Sequence, residues 1–93
     1  MPQTQTIGKT ATSVYTEDGY TTVRYHATEV VQFNSELIVL NSGGWDTATT
    51  KNRMNQASHQ FGLDYRVFQK DFDWFVDFKN QTLEFFDGIE LVR

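Results

Sequence analysis

Short runs in which apolar or β-branched residues alternate with polar ones fill the first part of the chain and predict β-strands. Ser13 to Glu17 and Tyr20 to His26 flank Asp18-Gly19, a pair that tolerates the positive φ of a two-residue hairpin turn. Glu29 to Phe33 and Glu36 to Leu40 repeat the arrangement around a short polar turn. The pattern therefore predicts two consecutive hairpins, with the last strand, which does not alternate, near the middle of a sheet.

One stretch, from Asp46 or Thr47 to Phe61, breaks this pattern and predicts a helix. It follows a Gly-rich turn and ends at Gly62, a typical C-cap residue. Three threonines are candidate N-caps: Thr47, Thr49 and Thr50. The apolar stripe is narrow and comprises Thr50, Met54, Ala57 and Phe61. We therefore expect one side of the helix to rest on the sheet and most of it to face water.

The chain after the helix returns to the strand pattern. Tyr65 to Lys70, Trp74 to Phe78, Gln81 to Phe86 and Ile89 to Val92 are separated by Asp-, Asn- and Gly-containing turns. The predicted order is ββββαββββ, or one strand fewer. The fold class is therefore α+β: a mainly antiparallel β-sheet of about six to eight short strands in hairpins, with one central α-helix packed on it.

The predicted domain organisation is one α+β domain over residues 13–93, preceded by a flexible arm. Residues 1–12 are rich in Thr and Gln, a composition that buries too little apolar area to offset the entropy of ordering. Aromatic residues make up 15% of the 93-residue chain, so large rings should carry the core. We assign Trp74 to that core. Trp45, which follows two glycines, either packs beneath the helix or is an exposed interface anchor, and burial is favoured.

The absence of cysteine and the net charge exclude or disfavour several kinds of site and partner. The chain has no Cys, which excludes thiolate metal sites and cysteine nucleophiles and fits a reducing cytoplasm. The formal net charge of −4 disfavours nucleic acid and anionic lipid as partners. No apolar run approaches the roughly 20 residues that span a bilayer, and the N-terminus lacks the apolar centre of a signal peptide. We therefore expect a cytoplasmic protein without a membrane partner.

Three stretches that begin between Val30 and Val76 carry a resemblance to known proteins. They are Leu40-Asn41-Ser42-Gly43-Gly44-Trp45, Thr49-Thr50-Lys51-Asn52-Arg53-Met54-Asn55-Gln56, and Tyr65 to Phe78. In these stretches the chain is similar to small accessory proteins encoded by tailed bacteriophages, including cyanophages. The resemblance implies an accessory protein acting in the cytoplasm of an infected bacterium, and it brings no catalytic motif with it.

Residues for metal binding or acid–base catalysis do not assemble into a known pattern. His26 and His59 lie on different predicted elements without zinc-type spacing. Asp71, Asp73 and Asp77 lack the ligand ladder of a calcium loop and are interpreted as turn and strand positions. We therefore predict no catalytic residue, no metal and no cofactor.

Two surfaces of the predicted helix are candidate sites. The polar face carries side chains of the types that read base edges or contact proteins: Lys51, Asn52, Arg53, Asn55, Gln56 and His59. The helix N-terminus offers amides that attract anions, at Gly43, Gly44, Thr49, Thr50 and Lys51. At the second site the simpler interpretation, in which the threonines cap the helix and the glycines allow a turn, is favoured.

Three functions follow from these surfaces. The first is a non-catalytic protein-interaction module that binds a host or phage protein, with a homodimer through sheet edges or the helix as one form. The second is a nucleic-acid-binding module that uses the polar helix face. The third is a small anionic-ligand-binding protein, or an enzyme acting on a phosphorylated metabolite, with its site at the helix N-terminus. We rank them in this order because the chain is acidic and carries no catalytic pattern.

Overall fold

A computed structural model describes residues 12–44 and 47–93. Most of the predicted N-terminal arm, residues 1–11, lies outside the described residues, and so does Trp45 with its predicted burial. Thr12, the last residue of that arm, is the first residue of a strand. Within the described ranges the chain forms β1 (Thr12–Glu17), β2 (Tyr20–Tyr25), β3 (Thr28–Phe33), β4 (Leu37–Leu40), α1 (Ala48–Phe61), β5 (Tyr65–Lys70), β6 (Asp73–Phe78), β7 (Gln81–Glu84) and β8 (Ile89–Val92).

The strands form two antiparallel sheets. A five-stranded sheet has the order β1-β2-β3-β4-β8, and a three-stranded sheet has the order β5-β6-β7. The α+β class, the hairpins and the ββββαββββ order are confirmed. The expectation of a single sheet is corrected, because β8 pairs with β4 and β5 to β7 stand apart.

The segment between β7 and β8 explains why the last strand joins the first sheet. The Asp87 carboxylate accepts hydrogen bonds from the backbone amide of Ser42 (2.8 Å) and from its hydroxyl (2.7 Å). The Gly88 amide donates to the Leu40 carbonyl at 2.9 Å. These contacts hold the turn before β8 at the exit of β4, so β8 starts beside β4.

Helix α1 begins and ends where the sequence predicts. The Thr47 hydroxyl accepts the Thr50 amide at 3.2 Å, and Gly62 takes the left-handed conformation (φ 64°) with its amide bonded to the Ser58 carbonyl. The predicted N-cap and C-cap are confirmed. Among the described residues, no helix has the length and apolarity that crossing a bilayer requires.

The core lies between the helix and the two sheets. The helix packs against β2 and β3 of the five-stranded sheet and against β5 of the three-stranded sheet. A bulge in the pairing of β2 with β3 leaves Val30 without a partner opposite it, and both Val30 and Val31 are fully buried. The buried apolar set is Val23, Val30, Val31, Ile38, Leu40, Met54, Ala57, Leu63, Tyr65, Val67, Val76, Phe78, Ile89 and Leu91. Trp74 packs against this set, as predicted.

Candidate interaction surface

The polar face of helix α1 is less exposed than the sequence predicts. Gln56 and Ser58 each retain 6% of their accessible surface and Thr50 retains none, while Asn55 is half-buried. The expectation that the polar side chains face water is therefore wrong for Gln56 and Ser58. The physical reason is that the helix is covered on two sides, by the five-stranded sheet and by the edge of β5.

Asn55 and Ser58 close that edge of the three-stranded sheet. The Asn55 side chain accepts the Val67 amide at 2.8 Å and donates to the Val67 carbonyl at 2.9 Å. The Ser58 hydroxyl accepts the Tyr65 amide at 3.0 Å and donates to the Tyr65 carbonyl at 2.8 Å. Two helix side chains thus satisfy the outward backbone groups of β5 as a neighbouring strand would.

Arg53, the central cation of the predicted nucleic-acid surface, is engaged within the chain. Its Nε donates to the Thr12 hydroxyl at 3.0 Å and its Nη1 to the Gln56 amide oxygen at 3.2 Å. Its guanidinium lies 5.5 Å from the centre of the Tyr25 ring. Of the six predicted surface residues, Asn52 and His59 are exposed. Lys51 is half-exposed, with its ammonium 5.9 Å from the Trp74 ring centre.

Four of the five backbone amides of the predicted anion site are bonded within the chain. The Gly43 amide donates to the Asn41 side chain at 2.8 Å and the Gly44 amide to the Ser42 hydroxyl at 3.2 Å. At the helix end the amides of Thr50 and Lys51 both bond to Thr47, and Thr49 is exposed. The geometry supports the turn-and-cap interpretation of these residues.

A different surface, the outer face of the three-stranded sheet, brings aromatic and charged side chains together. Strand alternation places it opposite the core side chains of β5 and β6. We define this outer face by Arg66, Phe68, Lys70, Asp73, Phe75, Asp77, Thr82 and Glu84, none of which is buried. The Phe68 and Phe75 rings stack at its centre, with centroids 5.7 Å apart and planes inclined by 26°.

Polar groups surround this ring stack. The Arg66 guanidinium lies 4.9 Å from the Phe68 ring centre and 3.3 Å from the Asp77 carboxylate, which also accepts the Thr82 hydroxyl at 2.7 Å. Bases lie on β5, whereas the acids Asp73, Asp77 and Glu84 lie on β6 and β7. An aromatic centre with a charged rim is the usual anatomy of a protein–protein interface.

The β5–β6 turn carries Phe72, which retains 94% of its accessible surface. Asp71 and Phe72 have φ values of 52° and 72°, the same left-handed pair as Asp18-Gly19 and Lys79-Asn80 in other turns of this chain. Gly or Asn is expected at the second position of such a turn. A large apolar residue there strains the backbone and gains no packing in return.

Sequence reasoning did not find this surface, although a signal for it was present. Strand alternation puts Phe75 on the side of β6 opposite the core residues Trp74 and Val76, and Phe68 occupies the matching position of β5. Pairing the two strands through the Asp71-Phe72 turn would have put both rings side by side. The sequence instead indicated the polar face of the helix as the functional surface, because a helical pattern does not show which other elements pack against the helix.

Titratable side chains also line a cleft away from the outer face. A cleft of about 890 Å³ lies between the end of α1 and the β6–β7 turn, with His59, Asp64 and Lys79 among its lining. Within residues 12–44 and 47–93, no three His, Asp or Glu side chains cluster as a metal site would require. Burial raises the pKa of the Tyr65 phenol, whose hydroxyl donates to the Met54 carbonyl.

These features define a small two-sheet α+β protein with an aromatic surface patch. The chain matches the family described as Kyanoviridae Gp96 protein over residues 2–92, and it belongs to that family. The resemblance to proteins of tailed phages, cyanophages included, is thereby confirmed. No curated protein and no solved structure matches the chain.

Proposed function

We propose that this phage protein is a non-catalytic protein-interaction module, which binds a host or phage protein in the cytoplasm of the infected bacterium. The binding site is the outer face of the three-stranded sheet together with Phe72. The single observation that carries the proposal is Phe72, a fully solvated aromatic at a strained turn position next to an exposed ring stack. A strained, exposed residue of this kind is characteristic of a contact made with a partner.

The position of the ring stack supports a role in binding a partner and not a role in stabilising the fold. Phe68 and Phe75 lie on the side of the sheet away from the core, and they are half-exposed. The ion pair beside them joins side chains that are 66% and 42% exposed, so it adds little to folding. Rigid rings bordered by an Arg and several carboxylates provide an apolar anchor and a polar rim for a protein partner.

A protein partner fits the charges better than a nucleic acid does. Three acids and two bases lie on the outer face, and one of the bases, Arg66, is already paired with Asp77. On the helix, Arg53 is held by Thr12 and Gln56. Nucleic-acid binding needs several cations free to contact phosphates.

The proposal is tested by capture from infected cells with matched variants. Phe72→Asn and the double variant Phe68→Thr/Phe75→Thr should each lower the recovery of the captured partner by at least about tenfold, the usual loss when a hot-spot residue is truncated. Val92→Thr, at an exposed apolar position of the other sheet, is the control and should leave recovery unchanged. A photo-crosslinking residue at position 72 should join the same partner covalently.

Two results would contradict the proposal. One is recovery of the partner that is equal for wild type, Phe72→Asn and the ring-stack variant. The other is recovery of nucleic acid in place of protein, lost in Lys51→Ala and retained in Phe72→Asn. Thermal unfolding of each variant verifies that a lost interaction does not reflect a lost fold.

A further inference from the structure

The two edges of the three-stranded sheet differ. The outer edge of β5 is closed by Asn55 and Ser58. The outer edge of β7 has no strand neighbour among the described residues, and Gln81, Thr82 and Glu84 are exposed. Strand β7 contains no Pro, Lys or bulge, three of the devices that protect an edge from pairing with another chain. One edge of this sheet is thus free to accept a strand.

The pairing pattern identifies which backbone groups of β7 point outward. The two-residue turn at Lys79-Asn80 closes on Phe78 and Gln81, so this pair exchanges hydrogen bonds. Hydrogen-bonded pairs recur at every second residue of an antiparallel ladder, and the Phe85 amide, four residues on, donates to the Trp74 carbonyl at 3.0 Å. The amides and carbonyls of Thr82 and Glu84 therefore point away from β6.

We propose that this edge binds a second copy of the chain. The two β7 strands pair antiparallel about a twofold axis, with each Thr82 opposite Glu84 of the second copy and Leu83 opposite its own counterpart. The two three-stranded sheets then form one six-stranded sheet. This inference goes beyond the proposed function and does not depend on it, since it uses the backbone edge of β7, whose residues Thr82 and Glu84 also contribute side chains to the outer face.

Charge selects this register over the neighbouring ones. Shifting the strands by one step in one direction places Glu84 opposite Glu84, which opposes like charges. Shifting the strands one step in the opposite direction places Thr82 opposite Thr82 of the second copy. This is then the one hydrogen-bonded pair in which both residues belong to β7. The proposed register has two such pairs and places a neutral side chain opposite each Glu84 carboxylate. It is therefore the self-complementary arrangement of a twofold interface.

Incomplete burial of its core-side residues favours β7 over the edge strand β8. Leu83 and Phe85 lie on the core side of the sheet and are only partly buried, so a second β7 strand would remove more of their apolar surface from water. On the edge strand β8 the corresponding side chains, Ile89 and Leu91, retain 4% and 1% of their surface. On this core face of β8, pairing would bury little apolar surface that is not already buried, while Val92, which is 68% exposed, lies on the opposite face.

The assembly has a geometric consequence for the outer face. A twofold axis perpendicular to the joined sheet leaves both outer faces on the same side. A dimer would then present two ring stacks to one partner surface. This raises the apparent affinity, because the second stack binds at a high effective concentration once the first is bound. Phe72→Asn should leave the dimer intact, whereas loss of the dimer should lower avidity for the partner.

Charge variants test the register by sedimentation velocity of the full chain over a concentration series. Thr82→Glu puts two Glu–Glu pairs into each dimer and should weaken association by about tenfold or more. Thr82→Lys should strengthen association, and Thr82→Glu/Glu84→Lys should restore it. Val92→Glu is the matched control, because it would place like charges opposite Glu90 in a β8 dimer and should have no effect.

A cysteine scan gives an independent test, since the natural chain has no Cys. Leu83 faces its counterpart in a pair without hydrogen bonds, where Cα atoms lie about 4.5 Å apart, within reach of a disulfide. Leu83→Cys should cross-link the dimer under oxidation, and Glu84→Cys should not. A wild-type chain that sediments as a monomer at all concentrations would refute the proposal, as would dissociation by Val92→Glu in place of Thr82→Glu.

Discussion

Asn55 holds Val67 by both of its backbone groups, through bonds of 2.8 Å and 2.9 Å. A helix side chain thus replaces a missing strand at the edge of the three-stranded sheet. Ser58, three residues later and on the same side of the helix, repeats the arrangement at Tyr65. This helix-to-edge seam fixes the second sheet to the helix, and it explains why polar side chains are found on a buried part of α1.

Removing the Asn55 amide should destabilise the fold. Asn55→Ala leaves the amide and the carbonyl of Val67 without partners, which costs about 2 kcal/mol after the gain in helix propensity. Thr49→Ala, at an exposed position of the same helix, should change stability by no more than about 0.5 kcal/mol. Urea unfolding of the three proteins measures the difference. Equal midpoints for wild type and Asn55→Ala would show that the seam carries no stability.

Local signals predicted the secondary structure well. The Asp18-Gly19 turn, the Thr47 cap and the Gly62 terminus each depend on the chemistry of one or two residues and their neighbours. Such features need no knowledge of the rest of the chain. For this reason the hairpins, the helix and their order could all be deduced from the sequence.

Long-range relations were not predictable in the same way. Nothing near Asp87 in the sequence shows that its carboxylate bonds to Ser42, and this contact brings β8 to the five-stranded sheet. The side-chain amide of Asn55 and the hydroxyl of Ser58 can form hydrogen bonds equally well with water and with the edge of a strand. They are covered because β5 packs against the helix. This tertiary contact cannot be predicted from the periodicity of the helix alone.

Phe72→Asn should stabilise the isolated protein. Asn adopts the left-handed region more readily than Phe, and this chain already uses Asn80 in an equivalent turn with φ 61°. The relief is worth about 0.5 to 1 kcal/mol, or a rise in Tm of roughly 4 °C for a domain of this size. Thermal unfolding followed by circular dichroism measures the shift.

The reciprocal substitution, Asn80→Phe, provides the control for this turn. It introduces the same strain at the β6–β7 turn and should lower Tm by a similar amount. If Phe72→Asn instead lowers Tm, the phenyl ring contributes to folding, and the argument from a strained exposed residue loses its basis. A rise in Tm combined with a loss of partner capture would show that Phe72 lowers the stability of the wild-type protein and is needed for binding.

Gly43 and Gly44 should respond differently to alanine. Both have positive φ (63° and 83°), but a Cβ on Gly43 would approach Thr28, with the Thr28 Cγ2 atom at 2.7 Å, whereas a Cβ on Gly44 meets nothing within 4 Å. Gly44→Ala should cost about 1 kcal/mol from backbone strain alone, and Gly43→Ala about 1 to 3 kcal/mol more.

A second substitution separates the steric contribution from the backbone strain at Gly43. Thr28→Ala removes the Oγ1 and Cγ2 atoms that a Cβ would meet, so the double variant Gly43→Ala/Thr28→Ala should recover part of the loss. Urea unfolding of the four proteins in this cycle measures the coupling. Purely additive losses would show that Thr28 does not restrict this turn.

Alkaline pH should destabilise the protein through Tyr65. Burial raises the pKa of its phenol above the ordinary value of 10, so above pH 10 the unfolded chain loses this proton while the folded chain keeps it. The native state then binds more protons than the unfolded state, and the free energy of unfolding falls as pH rises, by up to about 1.4 kcal/mol per pH unit from this group. Below pH 10 its contribution is constant.

Tyr65→Phe isolates this contribution. The variant loses the bond from the phenol to the Met54 carbonyl and should be about 1 kcal/mol less stable at pH 7. Its stability should also fall less steeply than that of wild type between pH 10 and pH 11.5, because no buried proton is retained at this position. Urea unfolding at several pH values gives both slopes. Parallel slopes for the two proteins would mean that the Tyr65 phenol ionises in the folded state as readily as in the unfolded chain, and that its bond to the helix backbone does not hold the proton in place.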